Sequence, residues 1–211
     1  MILCVAHVLS SVQLTELSTA FAAASFKESA RHAQLSVESP AHAQATQMVR
    51  KALLENETLQ AAALPLTLSA MSFGRMEPGM TYGPKSDSGI VGQPPMRADL
   101  AFTLFLTEPS SSEGGELVLL SQDGDEEYKL PAGALVLHPA SSVHRMRPVR
   151  SGQHLICSGW IQSLVRDPRV REMLFDLSRV KHHLFREQGS SELFDLVAKT
   201  QSNLLRMHAE V

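Results

Sequence analysis

The amino-acid sequence predicts a mainly β fold, a barrel or jelly roll with helices at both ends covering one sheet. Three observations lead there. Between about residues 67 and 164, short apolar runs recur roughly every 8–12 residues with turn signals between them, the pattern of a sandwich or barrel. After Asp167-Pro168 the apolar residues switch to steps of three and four, the helical period. The 211 residues, 44% hydrophobic and 19% charged, can bury the core of one domain and are too apolar for a disordered chain.

The elements follow in order. Residues 2–8 read as a short apolar strand. A helix runs from about 11 to 24, its start marked by Ser10 with Gln13 three residues on, as in a capping box. Residues 27–66 are mixed, with a helix near 45–62 that sets Met48, Leu53 and Leu54 against Glu55 and Glu57. In the middle part, Leu100 to Leu106 is a strand of large apolar residues. Glu116 to Leu120 follows the Gly114-Gly115 turn, Glu127 to Leu130 runs into Pro131-Ala132-Gly133, and Ala134 to His138 returns. Val143 to Val149 and His154 to Ile161 are strands joined through Arg150-Ser151-Gly152. In the last part Asp167 caps a helix with Pro168 at its first position. Val170, Met173, Leu174, Leu177 and Val180 form its apolar stripe, and Gly189 stops it. A second helix from about Ser191 has Leu193, Leu196, Val197 and Leu204 as its buried side. The chain thus divides into an N-terminal strand and helices packing on the barrel (1–66), the barrel (67–164) and a C-terminal helical extension (165–211).

Composition excludes several functions. A net charge of -3 gives no basic footprint for nucleic acid, and 5% aromatic residues make a stacking platform improbable on composition. Cys4 and Cys157 form neither a disulfide framework nor a zinc signature. No apolar run reaches the roughly 18 residues of a membrane span. The apolar N-terminus lacks a basic region before Lys27, and Glu16 interrupts it, so a cytoplasmic protein is expected rather than a secreted one.

A few polar residues could carry chemistry. If residues 85–87 are extended, Lys85 and Asp87 point to one face, either as a surface ion pair or as part of a site. His144 opens a strand and His154 lies on the next; each is a structural histidine or a ligand. His138 is a weaker candidate. His182 and His183 lie near a helix C-terminus, where a cation suits the dipole.

Several long motifs, in order, resemble the PKHD-type hydroxylases, bacterial iron(II)- and 2-oxoglutarate-dependent dioxygenases related to prolyl hydroxylases. They are Arg75 with Glu77-Pro78-Gly79-Met80-Thr81-Tyr82-Gly83; Met96-Arg97-Ala98-Asp99 through Leu106; Gly114-Gly115-Glu116-Leu117; and Leu130-Pro131-Ala132-Gly133. Leu135-Val136-Leu137-His138-Pro139-Ala140-Ser141-Ser142-Val143-His144 and Trp160 through Asp167 extend the match, which is nearly continuous from 73 to 178. The resemblance implies a double-stranded β-helix, a cupin-like jelly roll, with Fe(II) and 2-oxoglutarate as cofactors. In that family a His-x-Asp pair and a distal His hold the iron, leaving positions open for co-substrate and oxygen. A basic residue ten positions after the distal His grips the far carboxylate of 2-oxoglutarate. Asp87 matches the carboxylate ligand and His144 the distal His, while Tyr82 and Arg97 match positions flanking the site.

The departures fall on the cofactor site. Lys85 stands at the first His, His154 at the arginine and Met76 at a tyrosine of the co-substrate pocket. A metal ligand needs a lone pair, and an ammonium has none. Asp87 on the same face favours the charged lysine, so an ion pair occupying the metal site is expected. An imidazole lacks the guanidinium fork; losing the charged grip costs roughly 1.5–3 kcal/mol, about ten- to a hundredfold in affinity. A shifted set of Asp87, His144 and His154 is the conceivable rescue. Two readings result: an oxygenase of this family acting on an unknown small molecule or peptide through an atypical site, or a catalytically inactive barrel that binds or interacts. Specificity would come from loops around 31–47 and 88–96, and the C-terminal helices could carry a homo-oligomer interface.

Overall fold

The computed structural model describes residues 1–28 and 32–210. Its main feature is an eight-stranded antiparallel sheet, facing a four-stranded one to make a jelly roll. The strand His154–Ser163 is the spine of the larger sheet. It pairs with Leu100–Phe105 on one side and with both Ser72–Met76 and Pro65–Leu68 on the other. Leu100–Phe105 is buried at all six positions, which explains why its sequence is apolar at all but Thr103 rather than alternating. One face is covered by the N-terminal helices and the other by the opposing sheet.

The N-terminal segment is woven into this sheet. Leu3–Val5 pairs with Leu135–Pro139, and Phe26–Lys27 and Ala33–Leu35 add to the edge beyond Ser72–Met76. The backbone N–H groups of Val8 and Leu9 donate to the carbonyl of Gly133, at 2.8 and 3.2 Å. Gly133 has φ +83°, and a Cβ there would lie 2.5 Å from the Leu9 carbonyl, so that junction requires glycine.

The helix Ser11–Ala22 starts at the capping box read from Ser10 and Gln13. The single helix expected near 45–62 is two, Pro40–Glu55 and Glu57–Ala63. Asn56 makes the break: it leaves the first helix extended, and its side chain accepts from Leu59 N at 2.9 Å to cap the second. The segment expected as one strand from Val143 to Val149 is also two, His144–Met146 and Val149–Gly152. The first joins the smaller sheet and the second pairs with Ser112–Gly114, so the chain changes partners at Arg147-Pro148.

Two apolar clusters hold the layers together. Phe21, Leu53, Phe73 and Phe102 lie in the one between the large sheet and the N-terminal helices. Met76, Phe105, Leu117 and Met146 lie in the other, inside the barrel. Each such side chain contributes about 1.5–3 kcal/mol on burial.

The C-terminal helices Pro168–Gln188 and Glu192–His208 form a hairpin anchored by Val170 and Leu174. Of the stripe expected on the first helix, Val170 and Leu174 are buried; the side expected to be buried on the second is not. Met173 and Val180 are 47% exposed, Leu193 56% and Leu196 55%, and no residue of the second helix is buried. The helices meet through Leu174, which belongs to the expected stripe, and through Lys181 and Gln201, which do not.

Arg97 ties the barrel to the chain end. Its guanidinium donates to Asp99 Oδ1 and Glu210 Oε2, each at 2.7 Å, and to the Ser163 carbonyl at 3.1 Å. Arg97→Ala would strand the buried Asp99 carboxylate. It should cost about 3 kcal/mol, seen as a lower midpoint in urea unfolding with an unchanged slope.

Candidate functional site

The site lies in a cavity of about 430 Å³ between the large sheet, the strand Tyr82–Lys85 and the segment after it. Tyr82–Lys85 pairs with His144–Met146, and Lys85 stands opposite His144 in register. That pairing carries Lys85, Asp87 and His144 to one mouth. Trp160 reaches the same place from the spine strand.

Asp87 is the centre of the arrangement. Its side chain is 6% exposed, as is that of His144. Oδ2 accepts the Trp160 indole N–H at 2.9 Å. Oδ1 faces the Lys85 ammonium at 3.8 Å and His144 Nε2 at 3.9 Å. Lys85 Nζ also lies 4.9 Å from the centroid of the Tyr82 ring, so the cation has both a carboxylate and a π face. Burial, with the Asp87 charge beside it, pushes the Tyr82 hydroxyl well above its ordinary pKa, so Tyr82 stays a neutral phenol.

The two histidines of the cavity are oriented by backbone. His144 Nδ1 donates to the Ser142 carbonyl at 3.1 Å and His138 Nδ1 to the Pro139 carbonyl at 3.0 Å. A carbonyl only accepts, so each neutral ring carries its proton on Nδ1 and its lone pair on Nε2. Burial holds His138 below its ordinary pKa, helped by the neighbouring His144. Their ring centroids are 5.4 Å apart.

Of the residues singled out in the sequence, the structure brings Asp87, His144, Lys85, Tyr82 and Met76 to this cavity. His154 and Arg97 are not among the residues lining it. His154 is fully buried in the barrel beside Phe105, and burial with the Lys129 charge lowers its pKa to about 4. Its Nδ1 meets the Thr107 hydroxyl at 3.3 Å, and Nε2 is buried with no partner. Arg97 is engaged by Asp99 and Glu210. Of the two loops expected to set specificity, the first contributes His32, Gln34 and Val37 to the wall; Arg31 lies outside the described residues. Residues 88–96 contribute none of the lining side chains. His138, the weaker candidate of the sequence, also lines the cavity, and Trp160 is the neighbour that sequence reasoning gave no role. A lone tryptophan between Gly159 and Ile161 on a predicted strand was the available signal for it.

A β-barrel of this topology, with a carboxylate and a histidine facing each other across its mouth, is the architecture of the 2-oxoglutarate- and Fe(II)-dependent oxygenases. Residues 71–162 match the family model of the 2OG-Fe(II) oxygenase superfamily. A PKHD-type hydroxylase of Gloeothece citriformis is 45% identical over 167 residues, 79% of this chain and 76% of that protein. One from Synechococcus sp. strain JA-2-3B'a(2-13) is 39% identical over the full length of both. The chain belongs to the PKHD-type hydroxylases. Among solved structures, the viral collagen prolyl hydroxylase of Paramecium Bursaria Chlorella virus-1 superposes with TM-score 0.54 at 16% identity, over 77% of this chain and 95% of that one. HygX from Streptomyces hygroscopicus, solved with nickel, 2-oxoglutarate and hygromycin B, gives 0.53 at 13% identity, over 75% and 81%. At those identities the likeness is one of fold.

The donor set does not fit the iron centre that this family implies. Lys85 presents no lone pair as an ammonium, and the indole and the lysine already engage both oxygens of Asp87. Among the described residues, no three His, Cys, Asp or Glu side chains stand together as metal ligands. The residues do not fit 2-oxoglutarate in the family manner either, because His154 is neutral and lies outside the cavity wall.

The burial of His154 has a measurable consequence. Its imidazole titrates at 6.5 in the unfolded chain and at about 4 in the folded one. Between those values the unfolded chain binds more protons, so stability falls as pH drops through the window, by roughly 3 kcal/mol in all. His154→Leu should flatten this part of the stability–pH curve, measured by urea unfolding between pH 6.5 and 4.5. A variant with the same slope as the parent would rule out His154 as its source.

Proposed function

We propose that this chain is a PKHD-type barrel that binds a small organic molecule in its cavity without 2-oxoglutarate-dependent turnover. The observation that carries the reading is Lys85, whose ammonium faces Asp87 where the family has an iron ligand. The positive charge of the metal is replaced by that of a side chain, which balances the carboxylate and cannot activate oxygen. The cavity itself remains. Its volume falls in the range of small-molecule sites, and its wall combines apolar Met71, Phe102 and Ile156 with polar Asp87, His138 and His144. No helix among the described residues is long and apolar enough to cross a membrane. The proposed setting is the cytoplasm.

A second reading, an oxygenase working through an atypical centre, is favoured by one feature. His144 Nε2 and Asp87 Oδ1 still face each other at 3.9 Å with the histidine tautomer set for ligation. It needs a lone pair on Lys85, and an ammonium has none.

One mutation series separates the two. Under the first reading, the purified chain takes up neither Mn²⁺ nor 2-oxoglutarate at millimolar concentration in calorimetry. Lys85→His should restore metal binding. Lys85→His with His154→Arg should bind both and release succinate from 2-oxoglutarate without added substrate. His154→Arg alone should do little, since the co-substrate also needs the metal. Succinate formation by the unmodified chain would overturn the binding-only reading. Trp160 is the chain's one tryptophan and touches Asp87, so its fluorescence reports directly on cavity occupation in a small-molecule screen.

A further inference from the structure

The C-terminal hairpin leaves uncovered a face that its own sequence marks for burial. At 3.6 residues per turn, Met173, Leu177, Val180 and Leu184 fall in one line along the first helix, spaced four, three and four. Along the second, Leu193, Val197, Thr200, Leu204 and Met207 repeat the same spacing, with Leu196 beside them; of these, Leu204 is already partly buried against Val165, Val170 and Leu174. These are seam positions, yet Met173 and Val180 are 47% exposed, Leu193 and Leu196 are 56% and 55%, and Met207 is 73%.

The two lines lie on one side of the hairpin. The helices meet through Leu174, Lys181 and Gln201, and through the Phe185 and Phe194 rings 5.5 Å apart. The first helix turns Phe175 and His182 toward Glu57–Ala63 and the body of the protein. Counting around each helix from these contacts, and allowing for the reversed direction of the second, places both seams on the face turned away from Glu57–Ala63.

We propose that this face joins the same face of a second copy of the chain, closing an antiparallel four-helix bundle. Three observations favour that occupant. First, both helices of the hairpin carry the seven-residue repeat, so a hairpin turned about an axis parallel to the helices sets each first helix against the partner's second in bundle geometry. Second, Met173, Val180, Leu193, Leu196 and Met207 are each about half exposed or more, a contiguous apolar surface rather than scattered single residues, of the kind that marks a protein–protein interaction site. Third, the edges complement each other. The outer edge of the first helix bears Glu172, Asp176 and Glu187, with Arg179 paired to Asp176, and is net acidic; that of the second bears Lys199 and Arg206 after Glu192 at its start. The two-fold arrangement brings unlike edges together.

Sedimentation velocity of the full chain, from about 1 to 100 µM, tests this through mass action. The expected result is a concentration-dependent species of twice the 23.0 kDa monomer mass. Leu196→Glu and Val180→Lys each bury an unpaired charge in the joint and should raise the dissociation constant at least roughly a hundredfold. Both positions are exposed in the single chain, so the circular dichroism spectrum should not change. A parent chain monomeric over the whole range would overturn the proposal. So would two folded variants that dimerise as the parent does, or a monomer that instead floats with phosphatidylcholine–phosphatidylglycerol vesicles.

Discussion

A carboxylate withdrawn from water as far as Asp87 must be compensated, and how it is compensated decides what the barrel can do. Left alone, a buried charge of this kind would be costly. Here an indole N–H takes one oxygen, and a lysine supplies the opposite charge near the other. The same pair of contacts fixes Trp160 on the spine strand and holds the segment after Tyr82–Lys85 against the opposite sheet. Site and scaffold are therefore one structure at this point. The lysine serves as an internal counter-ion, tethered to the chain and always present.

The scaffold around that pair is built from contacts that do not depend on the site's chemistry. The large sheet, the glycine junction at Gly133 and the Arg97–Asp99–Glu210 cluster hold the frame that an iron centre would use. The changes sit on three side chains, Lys85, His154 and Met76, that touch cofactor positions by family resemblance. His154 and Met76 are opposite one another on adjacent strands, and both are fully buried. Together they set a neutral imidazole beside a thioether inside the barrel.

Much of this was legible in the sequence, for reasons that differ by element. The barrel strands were readable because turn residues bracket them, and Leu100–Phe105 because a strand buried on both faces loses its alternation. The Lys85–Asp87 pair followed from same-face spacing. What could not be read were contacts set by topology alone. Trp160 is 73 residues from Asp87, and Glu210 is 113 from Arg97; no local pattern links such partners. The break at Asn56 was missed because helical periodicity continues across it. The apolar stripes of the C-terminal hairpin were legible as stripes. Periodicity says which residues share a face and nothing about what covers it.

The position of the spine strand also governs the order in which this protein can assemble. His154–Ser163 pairs with residues 65–76 and 100–105, so the large sheet is completed only by a segment made late in synthesis. Until then Ser72–Met76 and Leu100–Phe105 share no strand between them, and the apolar face of each is open. Loop closure over such separations is slow compared with helix formation. The helices from Ser11 to Ala63 precede both strands on the chain and pack on the sheet they will help to form. They are placed to shelter that surface during the interval, so the N-terminal helices act in time as well as in space.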